Sequence, residues 1–248
     1  MTITQAIVLA AGKGTRMQSD LPKVLFEVCG RPMVEYVVAA LTAVGVERVL
    51  VVVGYRADLV RAALANRDNM VFVEQGEQLG TGHAVMMCRE RLEGRHGPVL
   101  IVTGDSPLIQ QDSIANLLDE FTSTRPACLL GTLNKEDPSG LGRIVRDQHG
   151  KFSAIVEEKD ASEEQLAINE VNMSTYVFDA DELLHALDLL TNDNQQQEYY
   201  ITDCPGILKD EGKEVRALPV LKACEALSVN TVADLAVVEE EMRKLGYP

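Results

Sequence analysis

The chain has 248 residues, 46% apolar and 25% charged, and 23 Lys and Arg against 38 Asp and Glu leave a formal net charge of −15. That length can bury one large α/β core. So acidic a surface excludes nonspecific binding of nucleic-acid backbones or anionic membranes, both of which need a basic face.

Apolar runs rich in β-branched residues alternate with helix-period segments over the first half. Residues 6–10 (AIVLA), 48–53 (RVLVVV), 70–73 (MVFV) and 98–102 (PVLIV) read as strands buried on both faces. Between them, 33–45, 57–66, 80–92 and 111–121 read as amphipathic helices. This alternation implies a mostly parallel central sheet with right-handed crossovers and helices on both faces, a Rossmann-like α/β fold. Ligands of such sheets bind beyond the carboxyl ends of the strands. The loop after 6–10 is therefore the first place to look for one.

The rhythm then changes. Residues 127–133, 142–147 and 152–158 read as strands joined by turns, and 171–179 as a strand leading into a helix at 180–190. A short helix over 198–212, a last strand over 214–220 and a closing helix over 231–246 follow, with Thr231 as N-cap and Gly246 as stop. The expected organisation is one domain over 1–228 with an added β-rich part, and a helical arm over 229–248. The cysteines at 29, 88, 128, 204 and 224 are odd in number and far apart, and read as reduced thiols. No window approaches the roughly 18 apolar residues of a membrane span; the expectation is a soluble cytoplasmic protein.

The loop over 10–17, AAGKGTRM, fails the Walker spacing and puts Met17 where a dinucleotide fingerprint needs its third glycine. What remains is a strand, Gly12 and Gly14, then the cations Lys13, Arg16 and Lys23. Glycines let backbone N–H groups approach an anion, and cations hold phosphates. The alternative is a tight turn with solvated cations. Asp105 follows the strand at 98–102, so it is either a ligand for Mg²⁺ or a cap on the Ser106-Pro107 turn.

LAAGKGTRM (9–17) followed by LPKVL (21–25) resembles the signature of the sugar-1-phosphate nucleotidyltransferases. EQLGTGHAV (77–85), GDSPL (104–108), DPSGLGRIV (137–145), IVEEKDAS (155–162), EVN (170–172), EYYITD (198–203) and SVNT (228–231) extend the match over nearly the whole chain. In this order they are similar to the uridylyltransferase half of the bifunctional N-acetylglucosamine-1-phosphate uridyltransferase/glucosamine-1-phosphate acetyltransferase family. The resemblance implies that UTP and N-acetylglucosamine 1-phosphate give UDP-N-acetylglucosamine and pyrophosphate, by in-line attack and with Mg²⁺. It makes Arg16 and Lys23 catalytic. It assigns the nucleotide to Leu9, Ala10, Ala11, Gly12, Gly14, Lys23, Gln75, Gly80, Thr81, Thr103, Gly104 and Asp105, the sugar to Gly142, Glu157 and Asn172, and the metal to Asp105 and Asn230. Gln75 would offer uracil both a donor and an acceptor. Read without the resemblance, Asn230 is an N′ or turn residue, His83 packs locally and Glu157 is a solvated strand end.

The family usually follows its sugar-binding asparagine with Thr-Gly, whereas this chain has Met173-Ser174, which places side chains near the expected pocket floor. Another sugar 1-phosphate, dTTP, or a non-catalytic sugar-nucleotide sensor are the competing readings. The family continues into a trimerising β-helix that carries acetyl transfer, and the chain stops at Pro248. The expectation is therefore a monomer or weak dimer without acetyltransferase activity.

Overall fold

The computed structural model describes residues 4–17 and 19–247; the outer bounds of the two expected regions, at 1 and 248, lie outside the described residues. The chain runs through β1 (Gln5–Ala10), a ribbon of β2 (Glu27–Val28) and β3 (Arg31–Pro32), α1 (Met33–Ala43), β4 (Arg48–Val53), α2 (Ala57–Ala63) and β5 (Met70–Glu74). Next come α3 (Thr81–Met86), α4 (Arg89–Leu92), β6 (Pro98–Thr103), α5 (Gln111–Thr124) and β7 (Cys128–Asn134). The second half adds β8 (Arg143–Arg146), β9 (Phe152–Val156), α6 (Glu163–Leu166), β10 (Glu170–Asp179), α7 (Ala180–Leu189), α8 (Cys204–Asp210), β11 (Val215–Leu218) and α9 (Val232–Lys244).

The main sheet has the order β11-β7-β10-β6-β1-β4-β5. Strands β6, β1, β4 and β5 are mutually parallel, β10 runs against both β6 and β7, and β11 is parallel to β7. The β8-β9 hairpin joins β10 where Val171 pairs with Arg143. This is the expected α/β architecture with its β-rich addition. The central strands read as unbroken apolar runs because both faces are covered. Ala6, Val8, Val49, Val51 and Leu100 pack towards α1, α2 and α5, while Ile7, Leu50, Val52, Val99 and Ile101 pack towards α3, α7 and α8. Each such Val, Leu or Ile contributes about 1.5–3 kcal/mol by leaving water.

Register places the site. Leu9 pairs with Thr103, Ala10 with Val53, and Val53 with Glu74. The loops that begin at Ala11, Gly54, Gln75 and Gly104 therefore open along one edge of the sheet.

Several elements differ from expectation for local reasons. The helix read over 80–92 divides because Cys88 N–H bonds Val85 O, three residues back, and this tightened turn separates α3 from α4. The helix read over 198–212 is α-helical only from Cys204, with Pro205 in its first turn. The β2-β3 ribbon was not legible; its turn uses Cys29 at φ +48° and Gly30 at φ +70°, the pair of positive values a tight hairpin needs. Strand β10 is interrupted by a bulge between Asn172 and Thr175, with Ser174 at φ +51° inside it. The closing helix forms as read: Thr231 Oγ1 accepts from Asp234 N–H, and the Asp234 carboxylate accepts from Thr231 N–H at 2.7 Å, a reciprocal cap. Val229, Val238 and Met242 seat this arm against Met17, Val28, Met33 and Tyr36.

Candidate active site

The glycine loop leaves β1 and tightens into a 3₁₀ turn over Thr15–Met17, closed by Met17 N–H on Gly14 O at 2.9 Å. Gly14 has φ +69°, and a Cβ there would meet Lys23 Cβ at 2.7 Å, so only glycine lets the Lys23 stem cross the loop. Lys23 Nζ reaches Asp105 Oδ2 at 2.5 Å and Asn230 Oδ1 at 2.8 Å. Arg16 Nη2 donates to the same Asn230 oxygen at 3.1 Å. Positions 16, 23, 105 and 230 thus meet at one point. The turn-cap alternative for Asp105 finds no hydrogen bond among the described residues. Asn230 is oriented from behind: its N–H donates to Asp234 Oδ2 at 2.8 Å and its Nδ2 to Ser228 Oγ at 3.2 Å, which turns the amide oxygen to the cations. Burial alone would raise the Asp234 carboxyl, but the N–H groups of Asn230 and Thr231 outweigh it and hold it below its ordinary value.

A cleft of about 500 Å³ runs from this cluster along the strand ends. Among the expected nucleotide residues, Leu9, Ala11, Gly12, Gly14, Lys23, Gln75, Gly80, Thr81, Thr103 and Asp105 line it, as does Arg16. Ala10 and Gly104 stand behind the lining, Gly104 N–H tied to Leu9 O at 2.9 Å. Thr15, Val24, Gln78, Ala84 and Glu198 also line the cleft and were not named as site residues, although each lies inside one of the motifs LAAGKGTRM, LPKVL, EQLGTGHAV and EYYITD. Lys13 lines the cleft as well, its Nζ 5.1 Å from the centre of the Tyr55 ring.

At the far end, the start of α3 is clamped to the segment after residue 197. Tyr199 N–H donates to Leu79 O at 2.9 Å, Gly82 N–H to Tyr199 O at 2.7 Å, and Ile201 N–H to Thr81 Oγ1 at 3.1 Å. Gln75, only 3% exposed, donates through Nε2 to Gly80 O at 3.2 Å, with His83 Nδ1 3.1 Å from the same nitrogen. Gln75 therefore does not offer a ligand both of its functions: its NH₂ is engaged and the oxygen is left. His83 packs locally beside Tyr199, as read, and also holds Gln75.

Gly142, just before β8, Glu157, just after β9, and Asn172, on β10, are brought together. Asn172 N–H donates to Gly142 O at 2.8 Å, and a Cβ on Gly142 would lie 3.6 Å from Glu157 Oε1. Asn172 Oδ1 accepts from Tyr176 O–H at 2.9 Å and Ser174 N–H at 3.2 Å, and its NH₂ has no partner among the described residues. Glu157 is no solvated strand end: burial pushes its carboxyl up, Thr202 opposes through a hydrogen bond, and Asp203 and Asp160 add to the rise. A hollow of about 270 Å³ borders it with Tyr200, Thr202 and Asp203. Arg143, 2% exposed, donates to Leu141 O, and Glu158 accepts from Gly140 N–H at 2.7 Å, so the 140–143 loop is held from both sides. Neither Met173 nor Ser174 lines the cleft or this hollow. Met173 packs against the core face, and Ser174 lies near enough to the buried Tyr176 phenol to oppose the rise that burial imposes on it.

The model of the MobA-like NTP transferase domain family matches residues 6–195. This chain belongs to that family. Curated relatives of this nucleotidyltransferase domain include the bifunctional protein GlmU of Streptococcus gordonii and of Streptococcus sanguinis, each 46% identical over 239 residues, which is 96% of this chain and 52% of the relative. That of Streptococcus pyogenes serotype M1 is 45% identical over the same span. The chain spans about half the length of the curated relatives it matches. Among solved structures, a UDP-glucose pyrophosphorylase complexed with UDP-glucose aligns with TM-score 0.78 at 17% identity, covering 98% of this chain and 100% of that one. A Bacillus anthracis protein assigned as a glucose-1-phosphate thymidylyltransferase, in complex with sucrose, aligns with TM-score 0.82 at 18% identity, covering 99% and 97%. At these identities the two structures establish the shared fold alone. Among the described residues, no helix is long and apolar enough to cross a membrane.

Proposed function

We propose that this nucleotidyltransferase domain transfers the uridylyl group of UTP to N-acetylglucosamine 1-phosphate, forming UDP-N-acetylglucosamine and pyrophosphate. The observation that carries this reading is the Lys23 ammonium held between the Asp105 carboxylate and the Asn230 amide oxygen beside the glycine loop. Two oxygen donors already converge there on a cation. One carboxylate and one neutral oxygen suit Mg²⁺, which takes few protein ligands and completes its shell with phosphate and water. No group of three or more His, Cys, Asp or Glu gathers among the described residues, so the substrates would have to supply the remaining ligands. Bound there, Mg²⁺ would neutralise phosphate charge. In this reading the 229–248 arm belongs to the site, because it delivers Asn230.

The electrostatic balance supports the assignment. UTP and a sugar phosphate bring about six negative charges into one cleft. Lys13, Arg16 and Lys23 supply three positive charges against a net protein charge of −15. A sugar-phosphate oxygen attacks the α-phosphorus of UTP, and the bond from that phosphorus to the bridging oxygen breaks, releasing pyrophosphate. No enzyme-bound intermediate is needed, so catalysis is positioning and charge stabilisation. Arg16 and the amides of 11–14 grip the β- and γ-phosphates. Lys23 exchanges Asp105 for the α-phosphate and the sugar phosphate. Asn172 NH₂ donates to the sugar, and Glu157 accepts from it. Pyrophosphate release measured over a panel of nucleotides and sugar 1-phosphates tests the proposal. UTP with N-acetylglucosamine 1-phosphate should be the fastest pair; faster turnover with dTTP or glucose 1-phosphate, or none with UTP, would overturn it.

A further inference from the structure

Gly80 O already accepts from Ala84 N–H at 3.1 Å, and a carbonyl oxygen can only accept. The Gln75 atom beside it is therefore the nitrogen, which settles which way the amide points. That nitrogen carries two hydrogens: one goes to Gly80 O at 3.2 Å and the other to His83 Nδ1 at 3.1 Å. For Nδ1 to accept, the ring proton must sit on Nε2. Both donors of a side chain that is 97% buried are then used within the protein. What remains for a ligand is Oε1, an acceptor.

We infer that His83 is a positioning residue that locks the Gln75 amide, so that the base site presents a lone acceptor and selects a nucleobase with a ring N–H at that edge. The inference rests on the nucleotide lying in this cleft, as proposed above. Uracil and thymine carry N3–H and satisfy Oε1. Cytosine presents an unprotonated N3 there, so two lone pairs would face each other and the buried Gln75 oxygen would go unpartnered. The device is anchored at each step. His83 lies in the first turn of α3, its ring 6.4 Å from the Tyr199 ring, and the Tyr199 backbone pins Leu79 and Gly82 on either side of Gly80. Without the His83 acceptor, one Gln75 N–H is left buried and unsatisfied, and the amide can swing that donor towards a cytosine N3.

The test compares UTP with CTP, two pyrimidines of nearly equal size that differ in this pattern. His83→Phe keeps an aromatic ring beside Tyr199 but has no acceptor; His83→Asn can place an amide oxygen where Nδ1 stood. In a pyrophosphate-release assay, the UTP:CTP ratio of kcat/KM should fall about tenfold in His83→Phe and recover to within about threefold of wild type in His83→Asn. The KM for the sugar phosphate should stay unchanged in both. If His83→Phe does not fold, His83→Ala is read in its place. A ratio unchanged in the folded Phe or Ala variant overturns the inference while the uridylyl assignment stands. A fall in His83→Asn as deep as in His83→Phe also overturns it, because the ring and not the acceptor would then matter. A wild-type protein that shows no preference for UTP over CTP overturns both.

Discussion

Gly80 is the tightest point in the base end of the cleft. Its backbone, at φ +104° and ψ 175°, lies in a region essentially reserved for glycine. A Cβ there would stand 2.4 Å from Tyr199 O, 2.9 Å from Glu198 Cβ and 2.9 Å from Tyr199 N. In Gly80→Ala the Tyr199 carbonyl must withdraw by at least about 0.6 Å before it reaches even the 3.0 Å limit of real Cβ contacts. The strain of the backbone costs about 1–2 kcal/mol. Withdrawal of residues 198–201 also disturbs three hydrogen bonds, from Tyr199, Gly82 and Ile201, worth about 1 kcal/mol each. A total of about 4–5 kcal/mol corresponds to a midpoint lowered by roughly 10 °C or more for a chain of this size. Because Gly80 O also anchors Gln75, the KM for UTP should rise at least about tenfold. Thermal unfolding and initial rates measure both effects. A folded Gly80→Ala protein that melts within about 2 °C of wild type and keeps its KM for UTP would refute the claim that the clamp between α3 and residues 198–201 shapes the base site.

Lys23→Ala should lower turnover at least about a hundredfold, the scale of losing one preorganised charge-stabilising donor, with a much smaller effect on UTP binding; single-turnover rates and calorimetry separate the two. Glu157→Gln should weaken sugar-phosphate binding yet stabilise the fold at neutral pH. The Glu157 carboxyl is raised above its ordinary value of 4.5, so the neutral form is the one the fold favours. That contribution is full below the unfolded value and is lost as pH rises through the folded one; Gln mimics the neutral form, and its advantage in melting temperature should vanish in acid. Ser174→Gly should relieve about 1 kcal/mol of left-handed strain but free the unfolded chain, leaving stability within about 1 kcal/mol of wild type and turnover intact. Calorimetric melting with a rate assay checks this, and a large loss of activity would mean that Ser174 reaches the substrate.

What was legible in the sequence is what local physics determines. The strands at 6–10, 48–53 and 98–102 announce themselves because a parallel strand covered on both faces has no polar positions to blur it. The glycine loop was legible because its backbone must turn sharply within a few residues. Asn230 was not legible from chemistry: it meets Lys23 from 207 positions away, and only the resemblance indicated it. The role of His83 was hidden for another reason. An imidazole on a helix start says nothing until the amide it holds, eight residues back, is known to be saturated by Gly80. Ser174 seemed to intrude on the sugar pocket because a serine in place of glycine implies a side chain; in the bulge of β10 it lines neither the cleft nor the hollow beside Glu157. The split of the 80–92 helix depends on three-residue hydrogen bonds, from Cys88 N–H to Val85 O and from Arg91 N–H to Cys88 O, which periodicity cannot register.

The central claim is that Asp105 and Asn230 hold a divalent cation that completes the charge balance begun by Arg16 and Lys23. A magnesium titration of pyrophosphate release by wild type and Asp105→Asn tests it most directly. The amide is nearly isosteric with the carboxylate, so the variant should fold; it also frees Lys23 from its 2.5 Å partner, so any loss is not a loss of that cation. Half-maximal activity should require at least about tenfold more Mg²⁺ in Asp105→Asn, since an anionic ligand gives way to a neutral one. Titration curves that overlay wild type would contradict the account and place the metal elsewhere.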